Sequence, residues 1–185
     1  MKSAMRRWVP RIVVVSTWAW MFNASVLADS LQATVVDSAA LAPLPYDAGQ
    51  VRIIATAEAT GQRAGVVELT EASGYDTPWH QHDGCDETFY VLEGSLTLRI
   101  GTEERVLTPG SFVFVPRGTP HSQGNRGTVP VKLLTTFTPG GFEQFFVDRV
   151  ELHRTVKRGD ADFQARMLQL LQKHSKWIRP ASPPQ

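Results

Sequence analysis

The chain has 185 residues and 42% hydrophobic content, which suffice for one core of ordinary size and exclude two. Its 19 basic and 18 acidic residues nearly balance, and the first 28 residues hold four of the basic ones and none of the acidic. Without that segment the 15 remaining cations face 18 anions, a net charge of −3, so nucleic acid is not expected as a partner.

Residues 1–28 have the composition of a secretory signal peptide. Four cations within the first eleven residues make a positive start, an apolar run follows, and small residues at 26–28 offer a cleavage site before Asp29. Cleavage there predicts a periplasmic or secreted protein without a membrane anchor. The alternative is an uncleaved N-terminal anchor, because the run at residues 12–28 is near the lower limit for spanning a bilayer.

The rest of the chain has the pattern of an all-β domain. Residues 29–50 contain a proline-interrupted stretch and are predicted to form an N-terminal linker or arm. Residues 51–139 carry at least eight strand-like runs, from residues 51–55 to the alternating run at 129–138, with turn residues between them. The proline-rich tail at residues 180–185 is predicted to be disordered.

The first block of candidate metal ligands lies in the middle of this domain. His80 and His82 flank Gln81, and a strand would turn both imidazoles to one face while Gln81 points away. The loop at residues 83–86 then turns the chain. We expect Glu87 to open a returning strand and to lie beside the two histidines.

The second block follows the apolar run at residues 111–115. That run ends at Pro116 and a turn at residues 118–120, and His121 starts the next strand. We expect His121 to supply the fourth ligand from across the barrel. Three imidazoles and one carboxylate suit one divalent transition metal such as iron, manganese, nickel or zinc. A lone histidine is usually only packed or solvent-facing, but this regular set favours a metal site.

The two blocks match the two signature motifs of the cupin superfamily at every fixed position. Those positions are Gly74, His80, His82, Glu87 and Gly94 in the first motif, and Gly110, Pro116, Gly118, His121 and Asn125 in the second. The chain therefore resembles a small single-domain bacterial cupin. The resemblance implies a double-stranded β-helix, or jelly-roll barrel, over residues 51–139, with a small-molecule partner. Cupins often pair through their outer strands, which implies a homodimer.

Residues 137–146 resemble more narrowly the bacterial quercetin-dioxygenase-like cupins. This resemblance implies a metal that binds an enol or enediol oxygen and lets dioxygen attack the substrate. Four protein ligands leave one or two coordination positions open, which is the condition for catalysis. We therefore predict a metal-dependent, dioxygenase-like oxidoreductase for a small enolic or aromatic molecule, with Glu87 as both ligand and general base. The alternatives are a non-catalytic module for an anion or carbohydrate, and a metal-assisted isomerase or lyase.

Alternation places three further side chains near the predicted ligands. Phe89 and Val91 share the face of Glu87, and Gln123 shares the face of His121, so these residues form a candidate substrate pocket. The competing interpretation is that the apolar members simply fill the barrel. Cys85 is predicted to be an incidental loop cysteine, and the alternatives are a thiol near the metal or an intermolecular disulfide.

Residues 140–179 change to a helical period and predict a C-terminal helical extension. Apolar stripes run along two helices, of which the first begins near Phe142 and the second spans residues 162–174. We expect both stripes to pack against the outer face of the barrel. His153 and His174 lie on these helices without companion ligands, so both are predicted to be surface residues.

Overall fold

The computed structural model describes residues 31–183, and the predicted signal peptide at residues 1–28 lies outside this part of the chain. The described part forms eleven strands, two α-helices and a 3₁₀ turn at Ser38–Ala40. The strands are β1 (Leu44–Tyr46), β2 (Gly49–Ala55), β3 (Gly65–Glu71), β4 (His80–His82), β5 (Asp86–Glu93), β6 (Leu96–Ile100), β7 (Glu103–Leu107), β8 (Phe112–Val115), β9 (His121–Gly124), β10 (Val131–Thr138) and β11 (Ile178–Pro180). The helices are α1 (Glu143–Thr155) and α2 (Phe163–Lys173).

The strands form two antiparallel sheets. The six-stranded sheet has the order β1-β2-β3-β10-β5-β8, and the five-stranded sheet has the order β11-β4-β9-β6-β7. Along the described chain, the path changes sheet after β3, β4, β5, β7, β8, β9 and β10. This repeated crossing produces the predicted jelly-roll barrel with a helical tail, which is confirmed. Neither helix of the described residues has the length and hydropathy of a membrane span.

Strict alternation defines the inner face of the six-stranded sheet. Every second residue of β3 is buried, and β10 repeats this pattern. The strand register places Phe137 opposite both Gly65 and Glu87. These three residues therefore share one face, and Glu87 on that face points toward the five-stranded sheet.

Helix α1 packs against this inner face, so the prediction that its apolar stripe covers the outer face was wrong. The buried carboxylate of Glu143 lies over Gly65, where any side chain would collide with it. Further along the helix, the ring of Phe146 packs edge-on against Tyr46 of β1, with 5.9 Å between centroids. The reason is that β1 to β3 carry buried inward residues that the helix covers.

Glu143 fixes the start of α1 by satisfying backbone groups that the turn leaves free. Its two carboxylate oxygens accept hydrogen bonds from the N–H groups of Ala57, at 2.6 Å, and Gly141, at 2.7 Å. Buried donors without such acceptors would destabilise the fold. One side chain thus holds the start of α1 in place, because it binds the backbone just after β2 and the turn just before the helix.

The end of the described chain also differs from prediction. Strand β11 pairs with β4, with Ile178 opposite His82, and the N–H of Ala181 donates to the carbonyl of Trp79 at 3.0 Å. The predicted helical extension thus ends in a strand, and the first residues of the tail predicted to be disordered are ordered. Likewise, β1 and the start of β2 lie within the predicted linker at residues 29–50.

Both histidines predicted at the surface are covered instead. His174 is buried, and its Nε2 lies 2.7 Å from the Oδ2 of Asp148 on α1. The side chain of His153 is only 12% exposed, and its Nε2 lies 3.9 Å from the Oδ2 of Asp47. The apolar stripe of one helix cannot predict this burial. The residues that bury these histidines belong to a neighbouring helix and to the turn between β1 and β2.

Candidate metal centre

The four side chains predicted as metal ligands come together between the two sheets. One ligand atom from each of His80, His82, Glu87 and His121 lies within 4.8 Å of the others. The Oε2 of Glu87 is 3.1 Å from the Nε2 of His82 and 3.0 Å from the Nε2 of His121. Ligands that hold one ion at roughly 2.1 Å are separated by distances of this order.

The strands deliver these side chains in a different arrangement from the one expected. His80 on β4 lies directly opposite His121 on the neighbouring strand β9, so the three histidines belong to one sheet. Glu87, on β5, reaches them from the other sheet. Glu87 thus lies beside the histidines as predicted but comes from the facing sheet, and the prediction that His121 comes from across the barrel was wrong. The loop before β5 crosses between sheets and does not close a hairpin.

Each histidine is oriented by a backbone carbonyl on the far side of its ring. A carbonyl only accepts, so the Nδ1 atom carries the hydrogen and the Nε2 lone pair points toward the cluster centre. Metal-bound histidines are commonly oriented in this way. The accepting carbonyls belong to Pro78 for His80 (2.9 Å), Thr119 for His121 (2.9 Å) and Trp177 for His82 (3.2 Å).

The charges of the cluster suit a cation. Burial raises the pKa of Glu87, but the neighbouring His82 and His121 rings outweigh this and hold the pKa well below its usual value. Burial, together with His121 and His82, lowers the pKa of His80 to about 3. Burial acts in the same direction on His121, but Glu87 raises the pKa overall, because a proton bound at Nε2 is hydrogen-bonded to that carboxylate. A carboxylate facing Nε2 lone pairs at about 3 Å requires a proton or a metal ion between them, and this donor set fits a borderline divalent metal.

A cavity of about 360 Å³ opens onto His80, His82 and Glu87. Its other wall comes from the C-terminal helices, and the ring of Phe142 packs edge-on against His82 with 4.5 Å between centroids. The stripes that were expected to be only packing residues therefore shape the pocket. The residues of this wall include Phe142, which directly precedes α1, and the helix residues Phe145, Phe146, Arg149, Phe163, Met167 and Leu171.

The predicted pocket residues divide into two groups. Gln123 lines the cavity, as expected. Phe89 and Val91 are fully buried in the core and lie outside the cavity lining, with the Phe89 ring behind His121 at 6.3 Å between centroids. Their position matches the competing interpretation of barrel filling, since Phe89 packs behind His121 and neither side chain lines the cavity.

Glu71 is a cavity residue that the sequence prediction missed. It is fully buried at the end of β3, on the inner face, although the other inward positions of that strand are apolar or glycine. Burial raises the pKa of Glu71 to about 8, although Arg149 and hydrogen bonds with Tyr46 and Gln123 act in the opposite direction. An acidic residue at an apolar position of an alternating strand was the available signal.

Cys85 is also buried, with no exposed surface. Burial, followed by the nearby Glu87 charge, raises the pKa of its thiol to about 12. A buried protonated thiol is a poor nucleophile and is not placed to form an intermolecular disulfide. The side chain therefore acts as a small core residue.

A jelly-roll barrel with three histidines and a glutamate at its centre defines the class of protein, and comparison with known proteins agrees. Residues 67–137 match the family described as Cupin domain. The chain is 32% identical over 108 residues to the tetracenomycin polyketide synthase protein TcmJ of Streptomyces glaucescens, across 58% of this chain and 72% of that protein. The chain therefore belongs to the cupin superfamily.

Two further similarities are more limited in reach. The chain is 36% identical over 95 residues to quercetin 2,3-dioxygenase of Bacillus subtilis, which is 51% of this chain but only 28% of that enzyme. Among solved structures, KdgF from Halomonas sp. superimposes with a TM-score of 0.55 at 19% identity, over 61% of this chain and 99% of the other. At that identity the superposition supports the fold.

Replacing His121 with alanine should abolish tight binding of zinc. We expect a loss of affinity larger than the roughly 10- to 100-fold typical of residues that only orient a ligand. Equilibrium dialysis followed by elemental analysis measures this loss. His153→Ala removes an imidazole outside the cluster and should keep the parent affinity. Parent affinity in the His121 variant would contradict the assignment.

Replacing Glu71 with glutamine should make the metal-free protein more stable than the parent, by a margin that grows as pH rises from about 5 to about 8. Native Glu71 keeps its proton up to about pH 8, whereas a carboxyl with the ordinary pKa of 4.5 releases it earlier. Parent stability should thus fall across that window by at most ~1.4 kcal/mol per pH unit, and glutamine cannot ionise. Urea unfolding of both proteins at several pH values measures the difference between their free energies of unfolding. A difference that stays constant with pH would contradict the prediction.

Proposed function

We propose that this cupin is an exported, metal-dependent oxidoreductase of the dioxygenase type that acts on a small enolic or aromatic molecule. The supporting observation is the position of the ligand cluster, which lies on the wall of a cavity whose opposite wall is aromatic. The cavity volume of about 360 Å³ suits a small organic molecule. Structural metal sites are normally enclosed by their ligands, whereas this cluster faces a space that a substrate can enter.

The residues of the chain divide the chemistry between them. A divalent transition metal held by the three histidines and Glu87 would supply Lewis acidity toward an enol oxygen and redox capacity toward dioxygen. Glu87, which is ionised, is placed to accept the proton that the enol releases. Phe142 and Phe145 present flat apolar surfaces to the body of the substrate and exclude water.

The similarity to quercetin 2,3-dioxygenase supports this substrate class, since the name of that enzyme specifies an oxygen-dependent reaction of an enolic aromatic compound. The chain spans about a quarter of the length of that enzyme. The complete activity of quercetin 2,3-dioxygenase is therefore not assigned to this chain. What supports the proposal is the matching region together with the cavity.

Glu87→Gln should lower the rate of oxygen uptake by about 10²- to 10⁴-fold, because the amide cannot accept the enol proton. The assay uses protein loaded with iron, manganese or nickel, quercetin as the probe, and an oxygen electrode. Glu93→Gln, at the exposed end of the same strand, should keep the parent rate. Metal content is measured in each variant.

Two outcomes would contradict these assignments. A Glu87→Gln protein with full metal content and the parent rate would remove the role of general base. If metal-loaded parent protein binds quercetin tightly but consumes no oxygen and forms no product, the protein is a binding module and not a dioxygenase.

A second candidate is metal-assisted isomerase or lyase chemistry that needs no oxygen. It is favoured by the similarity to the polyketide synthase protein TcmJ, which extends over 72% of that protein. Polyketides are rich in enolic oxygens, so the same cluster and aromatic wall would serve. Product formed from an enolic probe under strictly anaerobic conditions would select this candidate over the dioxygenase.

We also propose that residues 1–28 direct export and are then removed. Expression of the full chain in a Gram-negative host should give a protein in the periplasmic or culture fraction whose first residue is Asp29. N-terminal sequencing identifies that residue. A membrane-bound protein that retains the first residues would instead support the uncleaved anchor.

A further inference from the structure

We infer that Glu71 and Gln123 form a second recognition point in the cavity, which binds a hydroxyl group of the substrate. The cavity then takes a small aromatic molecule with two oxygen functions, one for the metal cluster and one for this pair. This inference rests on the proposed function, because it assigns a substrate class to the same site.

The two side chains approach the cavity from opposite sheets. Gln123 follows His121 by two residues on β9, which places it roughly 7 Å further along the strand on the same inward side. Glu71 ends β3 on the inner face of the six-stranded sheet. Both residues line the cavity that also contains His80, His82 and Glu87. The pair and the metal cluster thus lie within reach of one small ligand.

Glu71 and Gln123 hydrogen-bond each other, but each side chain keeps one oxygen that the described residues do not pair. The Oε2 of Glu71 and the Oε1 of Gln123 are both buried and have no hydrogen-bond partner in the described part of the chain. The other Glu71 oxygen accepts from the Tyr46 hydroxyl at 3.5 Å. Buried polar atoms in native proteins are nearly always paired. Two such atoms on the wall of one cavity therefore point to a bound molecule.

A hydroxyl group matches what these two atoms require. Because burial raises the pKa of Glu71 to about 8, its carboxyl is neutral at pH 7 and carries an O–H donor. The Oε1 of Gln123 is an acceptor. A hydroxyl both accepts and donates, so one hydroxyl can satisfy the acid and the amide together. A ligand carboxylate has no hydrogen for Gln123, and the nearby Arg149 is already paired with Asp47.

The test uses zinc-loaded protein, which binds without redox turnover, and two fluorescent probes that differ in one distal hydroxyl. These are 3-hydroxyflavone and its 4'-hydroxy derivative. The parent should bind the derivative about tenfold more tightly, as expected for a buried hydrogen-bonded hydroxyl. Gln123→Leu should reduce this preference, which is the ratio of the two affinities, to within about twofold. Ser122→Ala, on the same strand and outside the cavity lining, should keep the preference.

Glu71→Met provides an independent variant, since it roughly keeps the side-chain length but has no donor or acceptor for the hydroxyl that is comparable to the carboxyl. It should also weaken the preference. Equal affinity of the parent for the two flavones, absence of binding by either, or an undiminished preference in both variants overturns the inference. Failure of the proposed function gives a different result, because 3-hydroxyflavone would then bind equally well with zinc removed.

Discussion

The central constraint on this structure is one buried carboxylate. Glu87 is 4% exposed and reaches from one sheet to Nε2 atoms of His82 and His121 on the other. Transferring a charge from water to such a position costs several kcal/mol, and only close opposite charge or good hydrogen bonds offset that cost. The two sheets must therefore meet at this point with the imidazoles correctly turned. The same constraint makes a divalent cation a natural component of the centre.

The C-terminal part of the chain orients one metal ligand and supplies one wall of the cavity. The carbonyl of Trp177 orients His82, and β11 extends the sheet beside β4, so the geometry of one ligand depends on residues almost a hundred positions later. Helix α1 then places Phe142 against the same histidine. Ligand position and pocket shape are consequently coupled, and a change in the helices would alter both the cavity and the orientation of His82.

The sequence predicted the parts of this site that depend on local pattern. Alternation located the strands, and motif spacing located the four ligands that the structure brings together. Periodicity reports which face of an element is apolar but not what covers it, so α1 was placed on the wrong face. Strand β11 has three residues and includes Pro180, too little for a period of two. The sheet that holds Glu87 depends on a loop crossing that side-chain pattern does not encode.

Two carboxyl groups face one cavity in opposite protonation states. Glu87 is ionised because of the imidazoles beside it, whereas burial raises the pKa of Glu71, which keeps its proton near neutral pH. Such a division is how proteins assign an acceptor and a donor to chemically identical groups. It also sets the charge of the occupied site, because a divalent cation with one carboxylate retains a single positive charge. An enolate with one negative charge would neutralise it, and a second ionised carboxyl would oppose that binding.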